Sequence, residues 1–497
     1  MPGAEEFTGE IVVASRIVDY LSSGLYESPA ASLKELINNS YDADANRVDV
    51  FVKPDADRII IEDDGTGMDR GEFIKHFSRI SESHKRAVSE YTPSGRPKIG
   101  KIGIGFIAAN EICDVMEIVS TKPGRNQLLQ VEINFDLMRQ APDLRQRGDT
   151  DLAKAHYRGR VGEAEPRRHF TQVFLKKVRG EARSILAGAG STPYASGEKS
   201  LYGLKPESVC QELKDDKLRS WSEFDAYSKN RLEIALNVPV RYHENWLPSH
   251  LREEVLDFEK HVADLSFAVF LDGSELRKPT VFNPDGEALI SRFDFQGEHV
   301  AARGYFYAQH GAIRPQELQG VLLRIRNAAL GGYDSSFLGF NPSIGPLFQT
   351  WISGEIWADD RLEDAMNIDR RTLRSAHPAY VELQDALHKH LAKLISRVRT
   401  EIYGSKSRAR AKQRAERVEQ DIVEVSSDEV ARRAPSAAEE MRGSWADAAS
   451  DEKLRKKVLR KFTVAEVYGL VTAAAEGVLS EEELERLLER LTDQLLR

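Results

Sequence analysis

The sequence predicts an α/β fold: an N-terminal domain in which helices pack on a sheet, a second mixed α/β domain, and a helical C-terminal region. Three observations lead there. Residues 32–45, SLKELINNSYDADA, set Leu33, Leu36, Ile37 and Ser40 mostly on one side of a helix and Glu35, Asn39 and Asp42 on the other. Residues 58–63, RIIIED, are a short β-branched run with the character of a buried strand, and they lead directly into DDGTGM at 63–68. Residues 98–112, KIGKIGIGFIAANEI, put Gly100, Gly103 and Gly105 ahead of an apolar helical run from Phe106.

Each stretch carries chemistry. A helix face with two carboxylates and an amide is costly to bury without a ligand. Glu35 could orient and deprotonate a water, Asn39 could offer a hard oxygen to Mg²⁺, and Asp42 could accept hydrogen bonds from a nucleotide or its ordered water. Taken alone, this helix reads equally well as a solvated polar face. Asp63, at a strand end, could accept from an exocyclic amine. Gly65 and Gly67 permit a tight turn and a close backbone approach to a flat ligand. The glycine loop, with Ile104 inside it, feeds a helix N-terminus, where backbone N–H groups gather around phosphates. A second match, Gly95-x4-Gly100-Lys101, begins like a P-loop, but Ile102 follows where a Mg²⁺-binding Ser or Thr is needed.

In this order and spacing the three stretches resemble the GHKL ATPases (gyrase B, Hsp90, histidine kinases and MutL), which share the Bergerat nucleotide fold. The family's first box corresponds to Glu35, Asn39, Asp42 and Ala43, its second to Asp63, Gly65 and Gly67, and its third to Gly100, Gly103 and Gly105, with Phe106 following as in Hsp90. The resemblance implies an α+β sandwich over residues 1–178 that binds ATP and Mg²⁺. Glu35 would then be catalytic and Asn39 the metal ligand. Asn39, Asp42, Asp63, Gly65, Gly67, Met68, Gly100, Gly103, Ile104, Gly105 and Phe106 would contact nucleotide. Three more residues match by position. Thr171, in HFTQVFL, corresponds to a family Thr that opens the last strand; a Thr chosen for β propensity fits equally. Lys85, in Ser83-His84-Lys85, is either a phosphate contact or a solvated lysine on a lid. Arg370, in MNIDRR at 366–371, matches an Hsp90 arginine that reaches the γ-phosphate from the next domain, or is a surface arginine starting a helix.

Composition bounds the remainder. With 497 residues, 41% hydrophobic and 30% charged, the chain has material for two to four globular domains. A net charge of −9 gives no bulk electrostatic reason to bind nucleic acid. Two cysteines, Cys113 and Cys210, suit a reducing compartment and do not make a zinc site alone. The N-terminus lacks a charged-then-apolar leader, and no run approaches a membrane span, so the expected location is cytoplasmic.

In chain order, residues 7–14 read as a strand or arm and 15–22 as a helix, with Ser28-Pro29 starting the organising helix. Residues 47–53 alternate as a strand. Asp69 and Glu72 form a capping box for a helix to about His76, and 81–101 is a polar lid. Residues 115–120, 128–135 and 171–175 read as strands, 145–168 as a charged irregular insertion, and 178–204 as linker. The second domain, 179–375, holds helix at 206–236 and strands at 265–271, 300–307, 320–326 and 353–358; by position it resembles the family's transducer domain. Residues 380–403 form an amphipathic helix striped with Leu383, Leu387, Leu391, Leu394, Val398 and Ile402, within a segment bounded at 376–403. A charged linker at 404–457 carries a basic run at 406–417, and a small helical unit closes the chain at 458–497.

If the family pattern holds, ATP closes a homodimer and hydrolysis reopens it. The work done is then chaperone-like, on a client protein. The alternative is a nucleic-acid-remodelling or genome-defence ATPase of MutL or MORC kind. Histidine kinases are disfavoured because some 30 residues precede the first box.

Overall fold

Ser28 starts the first helix, α1 (Pro29–Asp42). Its hydroxyl accepts the Ala31 N–H at 3.1 Å, and Pro29 occupies the first turn, where a missing N–H costs little. Leu33, Leu36, Ile37 and Ser40 are buried and Asn39 is exposed, as the helical spacing requires. The computed structural model describes residues 5–9, 28–52, 57–77, 90–100, 105–138, 156–165, 168–187, 199–284, 286–340, 346–367, 372–403, 469, 471–472 and 480–496. The chain divides into two compact units, residues 1–394 and 395–497.

The first unit holds two sheets. One is built from β1 (Glu5–Gly9), β2 (Arg47–Phe51), β3 (Arg58–Asp63), β4 (Cys113–Thr121), β5 (Gln127–Asn134), β6 (Tyr157–Glu163), β7 (Phe170–Val178), β8 (Ala268–Leu271) and β9 (Ser274–Glu275), in the order β1-β6-β5-β4-β7-β3-β2-β8-β9. Neighbours are antiparallel except β2 and β8, which are parallel. Leu33, Ile37 and Tyr41 of α1 share a core with Val48, Val50, Ile59, Ile61, Ile118 and Val131 of this sheet. α2 (Arg70–Phe77) starts with the expected capping box: the Asp69 N–H donates to Glu72 at 3.1 Å and the Glu72 N–H to Asp69 at 2.9 Å. The apolar run after the glycine loop forms a 3-10 helix, Gly105–Glu111, packed on α1. This is an α/β sandwich.

Three stretches differ from the sequence expectation. Within 145–168, β6 replaces an irregular insertion; Tyr157 and Gly159 alternate inward between charged neighbours, and β5 supplies its hydrogen bonds. Within 178–204, the expected linker contains α3 (Gly180–Ala187), whose Ala182 and Leu186 are buried. The strand-like run at 265–271 enters the first sheet as β8, where β2 offers it a parallel edge.

α4 (Pro206–Leu213), α5 (Ala226–Asn237) and α6 (Leu256–Asp264) follow the first sheet's seven N-terminal strands in the chain. The other sheet comprises β10 (Ala288–Gln296), β11 (Ala301–Gln309), β12 (Gly320–Ile325), β13 (Ala328–Ala329) and β14 (Ile352–Ala358), ordered β10-β11-β14-β12-β13 with β12 parallel to β14. Beneath it lies a fully buried charge cluster. The Lys278 ammonium donates to Glu355 Oε1 at 2.6 Å, Arg324 Nε donates to the same oxygen, and the Tyr242 and Tyr305 hydroxyls donate to Oε2.

α7 (Pro378–Arg397) is followed by a π-helical turn, Val398–Tyr403. Glu382 accepts the N–H groups of Glu298, His299 and Val300 at 2.9, 2.7 and 3.1 Å. Leu383, Leu387, Leu391 and Leu394 are at most 1% exposed, so this leucine stripe is core and not a surface open to a second protomer. In the second unit α8 (Glu481–Leu496) begins at Ser480, whose N–H and hydroxyl donate to Glu483 at 2.9 and 2.8 Å. No helix among the described residues is long and apolar enough to cross a membrane.

Candidate functional site

The site begins where β3 ends. Asp63 is 6% exposed and accepts the Ser40 hydroxyl of α1 at 2.8 Å and the Gly65 N–H at 3.0 Å. Burial pushes its carboxyl up to about 6, against the pull of those two hydrogen bonds. The turn that follows needs its glycines. A Cβ on Gly65 would lie 2.7 Å from the Ala43 carbonyl oxygen; one on Gly67, where φ is +62°, would lie 1.8 Å from that of Thr121. The Met68 N–H donates to Ser120 Oγ at 2.9 Å, Ser120 Oγ and Thr171 Oγ1 lie 3.0 Å apart, and a His169 ring nitrogen sits 2.8 Å from the Gly65 carbonyl oxygen.

The end of α1 holds the start of the glycine loop. Asp42 accepts the Ile99 and Gly100 N–H groups, each at 2.7 Å. The residues before them are also tied to the α1–β2 connection. The Ser94 N–H donates to Asp44 at 3.0 Å, and Arg96 donates to the Ala45 carbonyl at 2.5 Å and to Asn46 at 2.7 Å. Residues 90–100 are therefore an anchored turn, closed by Thr92 N–H to Arg96 O at 2.8 Å and Lys98 N–H to Glu90 O at 2.9 Å. This differs, over residues 90–100, from the reading of 81–101 as one lid; residues 81–89 and 101 lie outside the described residues. The Asp44 and Arg96 side chains that help to hold it come from ordinary-looking turn residues, whereas Asp42 is the motif aspartate at the end of α1.

Glu35 is 6% exposed and its carboxylate lies 3.6 Å from the Lys34 ammonium. Beside it is a cavity of about 20 Å³, bordered by Asn38, Ile99, Arg326, Glu363 and Met366. Asn38 Oδ1 is buried and accepts no hydrogen bond among the described residues. Arg326, from the turn between β12 and β13, reaches in from the second sheet. Its guanidinium lies 3.5 Å from Glu90, 3.4 Å from Asp360 and 3.3 Å from Glu363, and donates to the Lys98 carbonyl at 3.4 Å.

The structure thus gathers Glu35, Asp42 and Gly100 around the C-terminal half of α1, and Asp63, Gly65, Gly67, Met68 and Thr171 at the adjoining strand ends. Gly105 and Phe106 open the 3-10 helix; Asn39 is exposed on α1. Lys85, Gly103, Ile104 and Arg370 lie outside the described residues, as does the basic run at 406–417; Met366, at the head of the MNIDRR motif, borders the small cavity. Sequence reasoning missed Ser40, Ser120, Asn38 and Arg326. A hint for the last existed in the sequence, Asn327 closing a strand-like run as a turn residue; both Arg326 and Asn327 adopt positive φ there, +50° and +74°. Among the described residues no group of three or more His, Cys, Asp or Glu side chains could hold a metal ion.

Comparison with known proteins agrees with this geometry. Residues 26–153 match the family model described as histidine kinase-, DNA gyrase B-, and HSP90-like ATPase, so this part of the chain is a GHKL-type ATPase domain. The chain is 35% identical over 115 residues to a Herpetosiphon aurantiacus protein named for a type II restriction enzyme, HgiDII, covering 23% of this chain and 18% of that one. It is 28% identical over 144 residues to the chaperone protein HtpG of Gluconobacter oxydans, covering 24% and 23% respectively. Identity to HtpG of Bacillus subtilis is also 28%, over 148 residues, covering 26% and 23%. The chain spans less than a quarter of the length of each of these relatives.

Proposed function

We propose that the protein is a Mg²⁺-dependent ATPase whose nucleotide state remodels a bound partner. The observation that carries the reading is the pair of hydrogen bonds from the Ile99 and Gly100 N–H groups to Asp42, which join the helix bearing Glu35 to the glycine loop. Adenine would lie against the sheet with its amine donating to Asp63, and Thr171 and Ser120 would order the polar groups around it. Gly65 and Gly67 let the turn beside it pack tightly against Ala43 and Thr121. The loop from Gly100 would offer N–H groups to the phosphates. Asn39 is exposed, so its amide oxygen suits Mg²⁺; when bound with the triphosphate, the ion supplies charge neutralisation.

Glu35 would orient the attacking water and take its proton. The cavity of about 20 Å³ beside it has room for about one water, and Asn38 Oδ1 offers that water an acceptor. The Lys34 ammonium, 3.6 Å from the Glu35 carboxylate, borders the same cavity. Arg326 would fix the anchored turn to the second sheet, so that movement of the glycine loop is passed on. Remodelling of a client protein is the reading we prefer, supported by the HtpG similarity. Action on nucleic acid is the second, supported by the similarity to a protein named for a restriction enzyme. Steady-state phosphate release with ATP and Mg²⁺, compared with the same mixture plus EDTA, tests the reaction. Stimulation by DNA rather than by unfolded protein would reverse the preference between partners.

A further inference from the structure

The peptide unit between Lys98 and Ile99, at the approach to the glycine loop, is held at both ends. Its carbonyl accepts from Arg326 at 3.4 Å, and its N–H donates to Asp42 at 2.7 Å. The two holders come from different parts of the fold. Arg326 lies in the turn between β12 and β13, and Asp42 is the last residue of α1. Their chain neighbours also touch, for Asn327 Nδ2 donates to the Tyr41 hydroxyl at 3.4 Å. The contacts therefore close into a circuit: Lys98–Ile99, Asp42, Tyr41, Asn327, Arg326 and back to Lys98. We propose that Asn327 is a positioning residue for the candidate site, which through Tyr41 fixes the end of α1 and so the direction in which the chain enters the glycine loop.

The local structure suits this task. β12 and β13 pair through Ile325 and Ala328, so Arg326 and Asn327 are the two central residues of a hairpin turn, at φ +50° and +74°. Turns of this kind match the twist of the strands and favour asparagine or glycine. An arginine there is strained, and such strain persists only where the surroundings over-determine it. The turn sends its two side chains to separate elements. Arg326 meets Glu90, Asp360 and Glu363 as well as Lys98, while Asn327 meets α1. Asn327 is itself fixed from behind. Its Oδ1 lies 2.7 Å from His261 Nε2 of α6, and its carbonyl accepts at 3.2 Å from Arg324, which is anchored on Glu355.

Tyr41 is equally constrained. Its ring stands edge-on to Phe267 at 5.2 Å, and the Arg96 guanidinium of the anchored turn lies over it at 5.6 Å. Tyr41 is fully buried and Asn327 is 5% exposed, so their hydrogen bond is shielded from water. A shielded hydrogen bond is stronger than an exposed one and fixes rotation as well as distance, which an apolar contact does not. Ile99 and Arg326 border the same small cavity as Glu35. Slack anywhere in the circuit is therefore felt beside the proposed base.

The hold on the chain stands without nucleotide; its effect on turnover rests on the ATPase reading. The first arm of the test is hydrogen exchange at the Ile99 and Gly100 amides of the nucleotide-free full chain. It compares the parent with Tyr41→Phe, Asn327→Gly and the double variant. Glycine accepts positive φ, so Asn327→Gly removes the side chain without adding backbone strain. Each single variant should speed exchange at these two amides about tenfold, and the double variant should add nothing, because both changes open one circuit. Amides of β11 and β14 should keep the parent rate. Unchanged exchange in Tyr41→Phe overturns the proposal, as do additive effects in the double variant. Equal acceleration across β11 and β14 also overturns it, since a merely structural role loosens the whole unit. The second arm is turnover: kcat should fall about tenfold in either single variant and no further in the double, with ADP affinity within about twofold of the parent. Faster exchange with parent kcat keeps the circuit and overturns its part in turnover. A parent that hydrolyses no ATP refutes the ATPase reading instead, and the exchange arm still decides whether Asn327 holds the chain.

Discussion

Thr171 stands directly opposite Asp63 in the antiparallel register of β7 and β3, with Ser120 opposite Thr171 on its other side in β4. Directly opposed residues of antiparallel strands share a face, so a carboxylate and two hydroxyls line up across three neighbouring strands. Ser40 reaches Asp63 from α1 at 2.8 Å, completing a polar group at the end of an otherwise apolar core. Among the described residues, the donors to this carboxylate are the Ser40 hydroxyl and the Gly65 N–H. Such a group is kept ionised by a small margin, and a further donor would tip it decisively.

That margin gives the first prediction. The folded Asp63 carboxyl is raised to about 6 from 3.8, chiefly by burial. The stability it contributes is therefore fully present below its unfolded value and is lost as pH rises through about 6. Donation from an adenine amine needs the ionised form, so nucleotide affinity should fall as pH drops below about 6. Asp63→Asn should weaken ATP and ADP alike, by about 1–3 kcal/mol for a mismatched buried polar pair, and should remove this part of the pH dependence. Calorimetric titration with ADP between pH 5 and 7.5 checks it; a parallel pH profile in the variant would exclude Asp63 as the source.

Glu35→Ala should abolish turnover and leave ATP binding nearly intact, because a general base acts in the transition state and adds little to ground-state affinity. The measurement is a single-turnover assay beside equilibrium binding of a non-hydrolysable analogue. Parent-rate hydrolysis by the variant would remove Glu35 from the mechanism.

Arg326→Ala should cut kcat by about tenfold while changing ADP affinity little. The side chain links Glu90 and the Lys98 carbonyl to Asp360 and Glu363, so it holds the turn that leads into the glycine loop. Arg326→Lys should recover part of the rate, since an ammonium keeps the charge and loses the planar fork. A purely structural arginine would instead lower melting temperature and spare kcat.

Much of this site was legible because its residues are tied to local rules. The capping box at Asp69 and Glu72, Ser28-Pro29 at a helix start, and glycines flanking a strand end all act within a few residues, and each appears where the spacing put it. The illegible parts depend on long-range pairing. β6 interleaves Arg158 and Arg160 with its buried positions, Tyr157 and Gly159, and becomes a strand because β5 offers it an edge. Arg326 becomes a site residue because β12 runs beside β14 and ends its turn near Lys98. The leucines of α7 gave the stripe correctly, but a stripe does not say whether core or a second copy will cover it.

Glu355→Gln should destabilise the first unit by about 3–5 kcal/mol, the usual cost of breaking a buried ion pair from one side. Lys278 and Arg324 would be left buried with no carboxylate between them. Desolvation pushes the Glu355 carboxyl up, but the two cations outweigh it and hold it down at about 2. Its folded value is depressed, so its stabilisation is present above the unfolded value of 4.5 and is lost as pH falls toward about 2. Urea melts at pH 7 and pH 3.5 should therefore differ more for the parent than for the variant.

The last prediction separates two reasons for a glycine. Gly67 and Gly124 both sit at positive φ, +62° and +76°, in the region that favours glycine. An alanine at Gly124 would meet nothing within 4 Å, so Gly124→Ala carries backbone strain alone, about 1–2 kcal/mol. An alanine at Gly67 carries the same strain and would also drive its Cβ to 1.8 Å from the Thr121 carbonyl oxygen. That carbonyl belongs to the end of β4, whose Ser120 hydroxyl accepts the Met68 N–H and adjoins Thr171, so the strand cannot yield without disturbing the groups around Asp63. The turn must therefore open instead. Gly67→Ala should cost clearly more than Gly124→Ala in urea denaturation and should reduce ADP affinity, whereas Gly124→Ala should leave affinity unchanged. Equal costs for the two would mean that φ alone explains Gly67, and an unaltered ADP affinity in Gly67→Ala would move the adenine contact away from this turn.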